Sequence, residues 1–357
     1  MKSFIAAAAF VAVAVAQNQQ MNAAAIAAAA PPAVTQAPVG ADDQGDVTYD
    51  QQAAANSAAD VQPTSAPASK MKRAACDPQP AGTAPNTYPD TPEAFQKNPY
   101  FHGQANSWPV YIPSGNSFYA ERFRDKNGST QQNSYLTYYV LDKYSPPECA
   151  KKCDAVKLCT AFNIYVERDP SLEPGPACPN PKSVSNYKCA LWGSDISAST
   201  ATNTGQYRDD FHVVITASNG YSRASWTPPS LIPGFQLAQN LSNKAITSAS
   251  KSTYLGWKFI PGPYDPSLCG SYAVAQTAAN KQDAKDKGYK SYQSCNLFNA
   301  YYVYKNQYAQ GTYCQLFNAD IDGVKASGQA DTTYEGDSYS VGVSYTWRAS
   351  PQNDGQL

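Results

Sequence analysis

The sequence predicts an α+β fold made of two copies of one small, disulfide-stapled module, each a sheet with one helix against it. Three observations carry this reading. First, residues 144–149, 159–166 and 189–192 recur at 264–269, 295–303 and 314–317, with Cys149, Phe162, Asn163 and Trp192 matched by Cys269, Phe298, Asn299 and Phe317. Second, all nine cysteines lie at or beyond Cys76, as expected for disulfides formed in an oxidising compartment. Third, in each copy a helix-start signal sits between aromatic-rich, strand-like segments.

The chain opens with processing signals. Lys2 precedes an apolar run from Phe4 to Ala16, and Ala14-Val15-Ala16 is a small-x-small cleavage site, so residues 1–16 read as a signal peptide. The run is too short to span a bilayer, no second one follows and the last residues are polar, so membrane insertion is not expected. Residues 17–73 are rich in Ala, Pro and Gln and nearly lack aromatics. Such a stretch buries too little apolar surface to offset its ordering entropy and is expected to be disordered. It ends in Lys72-Arg73, which looks like the dibasic site of Kex-type or furin-type proteases. Arg73 therefore reads as the end of a propeptide, with an uncut basic linker as the competing reading. A net charge of -1 leaves no electrostatic footprint for nucleic acid or an anionic membrane. Asn127-Gly128-Ser129 and Asn240-Leu241-Ser242 are glycosylation sequons, consistent with surface loops.

Residues 74–129, full of turn signals and aromatics, read as an N-terminal extension packed on the first module. Module 1 is placed at 130–223. It begins with a strand at 135–141, then Ser145-Pro146-Pro147-Glu148, a capping box with proline at the first helical position. Cys149 and Cys153 fall one turn apart on the helix face that must look at the sheet. Phe162, Ile164 and Val166 then alternate with Ala161, Asn163 and Tyr165, the period of a strand with two distinct faces. Asn163 and Asn299 read as ligand contacts or as structural amides tying a strand to a loop; the second is favoured, because buried polar groups normally have partners. Residues 205–215 read as a closing strand, and 224–249 as a proline-stiffened linker. Module 2 (250–348) repeats the plan in degenerate form: a strand at 254–260, a helix start at Asp265-Pro266, and Cys269 followed by Ala273 where a second cysteine would fall. Its helix can run on toward a C-terminal Gly288, and its closing strand falls at 336–343. Residues 349–357 form a tail.

The run Cys149-x3-Cys153-x5-Cys159-x-Ala161-Phe162, with Cys189-x-Leu191-Trp192, resembles the core of the PAN/apple fold. The match covers about residues 130–215, with a degenerate second copy over about 250–347. The resemblance implies two PAN/apple-like modules, each a curved antiparallel sheet with one helix packed across it. It also implies Cys149–Cys189 and Cys153–Cys159 disulfides and, by analogy, Cys269–Cys314, which leaves Cys295 over. Spacing alone keeps the rival Cys269–Cys295 pairing open. Cys76 and Cys178 remain as a pair by position. The overall arrangement, duplicated and signal-bearing with a dibasic-terminated propeptide, also resembles secreted proteins of filamentous fungi.

Signals for chemistry are sparse. The two histidines, His102 and His212, lie in no nucleophile motif. Asp210 and His212 share a face on a strand, but two ligands do not close a metal site. Asp320-Ile321-Asp322-Gly323 resembles the start of a calcium loop and lacks the rest. No catalytic, cofactor-binding or metal-ligating residue is assigned, and no cofactor is expected. The 26 tyrosines stand out, since tyrosine combines a flat apolar face with a hydroxyl and suits binding surfaces and sugar rings. Tyr187, Tyr207 and Tyr221, read as loop or edge residues, are the candidate ligand contacts, while Trp192 and Phe317 are assigned to the core. The function expected is a secreted, extracellular or cell-wall-associated, non-catalytic protein that binds a polysaccharide or glycoprotein. The alternatives are a structural cell-wall or surface-matrix protein, and a hydrolase with an unrecognised site.

Overall fold

The computed structural model describes residues 19–32, 34–42, 44–59, 74–115 and 117–357. The signal peptide and the Lys72-Arg73 processing site fall outside the described residues. Helices α1 (Ala23–Ala28) and α2 (Gln51–Ala59) precede the cysteine-bearing part. Helices α3 (Pro92–Gln96) and α4 (Pro99–Asn106) follow, each opened by proline behind a capping Thr91 or Asn98. Next come β1 (Tyr111–Ser114), β2 (Ser117–Lys126), β3 (Tyr135–Leu141), α5 (Pro146–Ala155), β4 (Ala161–Pro170), β5 (Ser183–Trp192), β6 (Gly205–Arg208) and β7 (Phe211–Arg223). The second half holds β8 (Leu231–Ile232), β9 (Phe235–Ser242), β10 (Ala245–Ile246), β11 (Tyr254–Pro261), α6 (Ser267–Asp286), β12 (Leu297–Lys305) and β13 (Tyr308–Phe317). It ends with α7 (Gly323–Ala326), β14 (Ser327–Gly328), β15 (Thr332–Tyr334) and β16 (Asp337–Ala349).

The two halves repeat one topology. The first sheet runs β3-β5-β4-β7-β2-β1 with β6 added to β7; the second runs β11-β13-β12-β16-β9-β8 with β15 added to β16. Every pairing in both seven-stranded sheets is antiparallel, each sheet curls into half a barrel, and β10 pairs separately with β14. This correspondence moves the expected boundaries. Strands β1 and β2 come from the stretch read as an extension, and β8 and β9 from the stretch read as a linker, so each module draws two strands from sequence that looked like connection.

One helix lies across the inner face of each sheet. Ser145 Oγ accepts from the Glu148 N–H to start α5, as the capping box requires. At α6 the cap shifts by a residue: Asp265 Oδ1 accepts from the Ser267 N–H at 3.0 Å. Helix α6 runs ten residues longer than α5 and stops at Gly288 (φ +69°), where the Gly288 and Tyr289 N–H groups donate to the carbonyls of Lys285 and Ala284. Cys149, Ala150 and Cys153 pack on Phe162, Ile164, Val166 and Leu191; Leu268, Cys269 and Ala273 pack on Phe298, Ala300, Leu316 and Trp347. Trp192 and Phe317 are fully buried.

Four disulfides form: Cys149–Cys189 and Cys269–Cys314 clamp α5 and α6 to β5 and β13, Cys153–Cys159 ties the end of α5 to the approach to β4, and Cys76–Cys178 staples the extension to the β4–β5 loop. Cys295 keeps a buried thiol, because its partner position is filled by the methyl of Ala273. Burial pushes that thiol up to about 12, so it is inert at neutral pH.

Asn163 and Asn299 do the same work in both copies. Asn163 Oδ1 accepts from the Thr130 N–H at 2.8 Å, and Nδ2 donates to Ser218 Oγ and the Asn219 carbonyl at 2.9 Å each. Asn299 Oδ1 accepts from the Ile246 N–H at 3.1 Å, and Nδ2 donates to Ser344 Oγ and the Tyr345 carbonyl at 2.9 Å each. Each amide ties the central strand to the segment before the first repeat strand and to an irregularity in the closing strand.

Residues 19–59, expected to be disordered, touch both modules at several points among the described residues. Met21, Ala23 and Ile26 are buried on the outer face of the second sheet, Ala37 on that of the first, and Ala58 beside α6. The expectation failed because it weighed the segment alone. Small apolar side chains that cannot make a core of their own bury themselves on two sheets that already present tyrosine and tryptophan. This cover also explains why every residue of β4 is buried although its sequence alternates. Among the described residues no helix is long and apolar enough to cross a membrane.

Candidate functional site

The sequence-based candidates do not meet in one place. Tyr187 lies on β5, paired on both sides by β3 and β4, and is 2 % exposed; Tyr221 lies on β7 between β2 and β4 and is 0 % exposed. Both belong to central strands rather than edges, so neither can touch a ligand. Tyr207 is 69 % exposed and stacks on His212 with ring centroids 4.1 Å apart. Asp210 is exposed in the β6–β7 turn, and no group of three or more His, Cys, Asp or Glu able to hold a metal occurs among the described residues. His102 is held through both ring nitrogens, by Asp125 at 2.7 Å and the Gln96 carbonyl at 2.8 Å. Burial lowers its pKa, but these two bonds outweigh that and leave it raised. Asn127 and Asn240 are both exposed. Of the 26 tyrosines only Tyr88, Tyr100, Tyr111, Tyr207 and Tyr289 are exposed; most of the rest build the sheets and their cover.

A concavity lies where the modules meet. Module 1 contributes the turn after β5, from Gly193 to Ser197, and the end of β7 at Arg223; module 2 contributes β12, β16 and the end of β9. The joint is tight. The Tyr264 N–H donates to the Gly193 carbonyl at 3.1 Å, and a side chain at Gly193 would meet Pro263 at 2.4 Å. Only glycine allows that approach. A second bond, from the Tyr308 hydroxyl to the Ser199 carbonyl at 2.8 Å, also joins the modules, and between them lies a cleft of about 750 Å3, within the usual size range of small-molecule sites.

One wall of the cleft is aromatic. Tyr345, Trp226, Tyr264, Tyr302 and Tyr304 follow one another edge to face with successive centroid separations of 6.2, 5.3, 5.8 and 5.3 Å; Tyr264 and Tyr302 are buried, and Tyr345, Trp226 and Tyr304 are the partly exposed members that a ligand can touch. Trp226 lies in the stretch read as linker and is fixed by a Tyr345 hydroxyl bond to its carbonyl at 3.5 Å. The buried Tyr264 hydroxyl donates to the Ala300 carbonyl at 2.9 Å, while burial raises the Tyr345 phenol, which stays neutral at the cleft.

The opposite wall is polar. Arg122 and Asp195 pair at 3.5 Å, both partly exposed, an arrangement worth little to stability and open to exchange for a ligand. Arg223 donates to the Tyr119 hydroxyl at 2.7 Å and pairs with Asp154, yet its Nε, like Thr160 Oγ1, is enclosed without a hydrogen-bond partner. Both atoms are shut off from the cleft, so the polar groups this wall offers a ligand are those of the exposed Arg122 and Asp195. Asn240 sits at the rim, its Nδ2 3.4 Å from the Tyr345 hydroxyl.

Sequence reasoning missed this site because its parts come from five strands, β2, β7, β9, β12 and β16, and from the loops and turns beside them. The one available signal was Trp226, an aromatic in an otherwise proline-stiffened connection. The sequence matches no family model and no curated protein.

Proposed function

We propose that this chain is a secreted, non-catalytic binding protein of the PAN/apple type, and that the cleft between its modules takes a carbohydrate, free or carried on a glycoprotein. The observation that carries this reading is the pairing of partly exposed aromatic side chains, Trp226, Tyr304 and Tyr345, with the exposed Arg122–Asp195 ion pair across the cleft. A sugar ring has one apolar face of axial C–H groups and a girdle of hydroxyls, so it needs both surfaces at once. Four disulfides fit an oxidising, extracellular setting. Both ring nitrogens of His102 are taken, by Asp125 and the Gln96 carbonyl, and neither histidine lines the cleft, which supports binding over catalysis there.

The test is titration with soluble chitin and β-glucan oligosaccharides, read by calorimetry. Trp226→Ala and Tyr345→Ala are each expected to weaken binding roughly tenfold or more, from lost aromatic contact and burial. Tyr207→Ala, outside the cleft, should leave it unchanged. Parallel titrations on Asn240→Gln protein control for a glycan on the rim. Undiminished affinity in Trp226→Ala and Tyr345→Ala would sink the assignment. The structural-matrix reading rests on the five exposed tyrosines, which are open to oxidative cross-linking; protein that leaves the cell wall only under reducing or harsh conditions would favour it.

A further inference from the structure

Residues 19–59 hold no cysteine, since none precedes Cys76, yet they grip each module twice. The first grip is on module 2. The Gln19 side chain exchanges two hydrogen bonds with the Ala249 backbone at 2.7 and 3.0 Å, its carbonyl accepts from the buried Gln315 Nε2 at 2.7 Å, and Met21, Ala23 and Ile26 cover Tyr301, Tyr313 and Tyr339. The chain then crosses to module 1. The Gln132 N–H donates to the Thr35 carbonyl at 2.9 Å, and the Gly40 N–H donates to Asp169 Oδ1 at 2.9 Å. Lys188 donates to the Pro38 carbonyl, so this stretch closes over the buried Lys188–Glu167 ion pair.

The third grip is strand-like. The Gly45 N–H donates to the Tyr138 carbonyl at 2.6 Å and the Thr48 N–H to the Leu136 carbonyl at 2.8 Å, along the side of β3 that the sheet leaves open. A segment added to an exposed sheet edge is a recurrent mode of peptide recognition, and covering an edge protects it from other chains. The chain then returns to module 2. Gln51 Nε2 donates to Asp265 Oδ2 at 2.8 Å, α2 lies along α6, and Lys258 Nζ donates to the carbonyls of Ser57 and Ala58 at the end of α2, at 2.6 and 2.7 Å.

We propose that residues 74–357 are a receptor for this segment, and that residues 19–59 stay bound as a non-covalent strap when the chain is cut behind Arg73. The reasons are the continuity of the contacts and what removal would uncover: a sheet edge, a buried ion pair and two aromatic faces. The strap crosses between the modules twice, after Ile26 and after Thr48, and so adds to the short Gly193–Tyr264 joint. None of its described residues lines the cleft.

The test needs no ligand, so its failure is distinct from failure of the carbohydrate reading. Residues 70–73 of the full chain are replaced by the recognition site of a sequence-specific protease, the folded protein is cut, and gel filtration and native mass spectrometry are run at roughly 1 µM, where a partner weaker than micromolar would dissociate. The expected result is one complex of body and fragment, separated only by denaturant. Ile26→Asp combined with Ala58→Glu, which puts charges at two buried docking positions, should turn retention into release, with near-UV circular dichroism checking that the body remains folded. A fragment that elutes alone from a folded wild-type body overturns the proposal, as does retention unaffected by the two charges.

Discussion

Replacing Cys149 and Cys189 together by alanine is expected to destabilise module 1 by about 4 kcal/mol, from the closure entropy of a loop of some 40 residues. For a unit of this size that is roughly 15 °C in the midpoint of its thermal transition, and it approaches the whole stability of a small domain. The bond does more than shorten the unfolded chain. It holds α5 on β5, so its loss also frees Ala150 and Cys153 from Phe162 and Ile164. The matching Cys269→Ala, Cys314→Ala pair should cost module 2 a similar amount, since its loop spans 45 residues. The Cys153–Cys159 bond closes only six residues and should cost about half as much. Differential scanning calorimetry of the three double variants checks the order. Equal losses in all three would show that loop closure is not what these bonds supply.

Asn163→Ala is expected to cost about 3 kcal/mol, and Asn299→Ala about the same, because each strands buried backbone partners worth ~1–3 kcal/mol apiece. Thr130 and Asn219 are 1 % and 0 % exposed, so water does not replace the lost amide there. Chemical denaturation gives the measurement. A ligand-contact role for the pair would give the opposite pattern, with affinity lost and stability kept. Because the two amides bond equivalent partners in the two copies, their losses should agree closely. A large loss at one and none at the other would break the equivalence of the modules.

What was legible in the sequence follows from which interactions are local or covalent. The helix at Pro146–Ala155 announced itself through Ser145, Pro146 and Glu148, and the strand at Tyr135–Leu141 through its aromatic and branched residues. The cysteine spacing carried the clamp. Strands β2 and β9 stayed hidden because register shifts at Glu121/Phe123, Phe123/Lys126 and opposite Asn240 break their alternation. Tyr187 and Tyr221 were misplaced for a different reason: alternation says which face a residue takes, and nothing about whether its strand is central or at an edge. Residues 19–59 looked unable to fold, and alone they have too little apolar surface; their order comes from sheets far along the chain. The cleft was illegible because it depends on how the two sheets meet at Gly193 and Pro263, a relation no local pattern encodes.

The protein is one module built twice, complete in the first copy and lacking one thiol in the second. Peptide mapping of the unreduced protein, after alkylation in native and then in denaturing conditions, tests this most directly. It should recover Cys76–Cys178, Cys149–Cys189, Cys153–Cys159 and Cys269–Cys314, with Cys295 alkylated only once the chain is unfolded. A Cys269–Cys295 link with Cys314 free, or Cys149 joined to anything but Cys189, would contradict it.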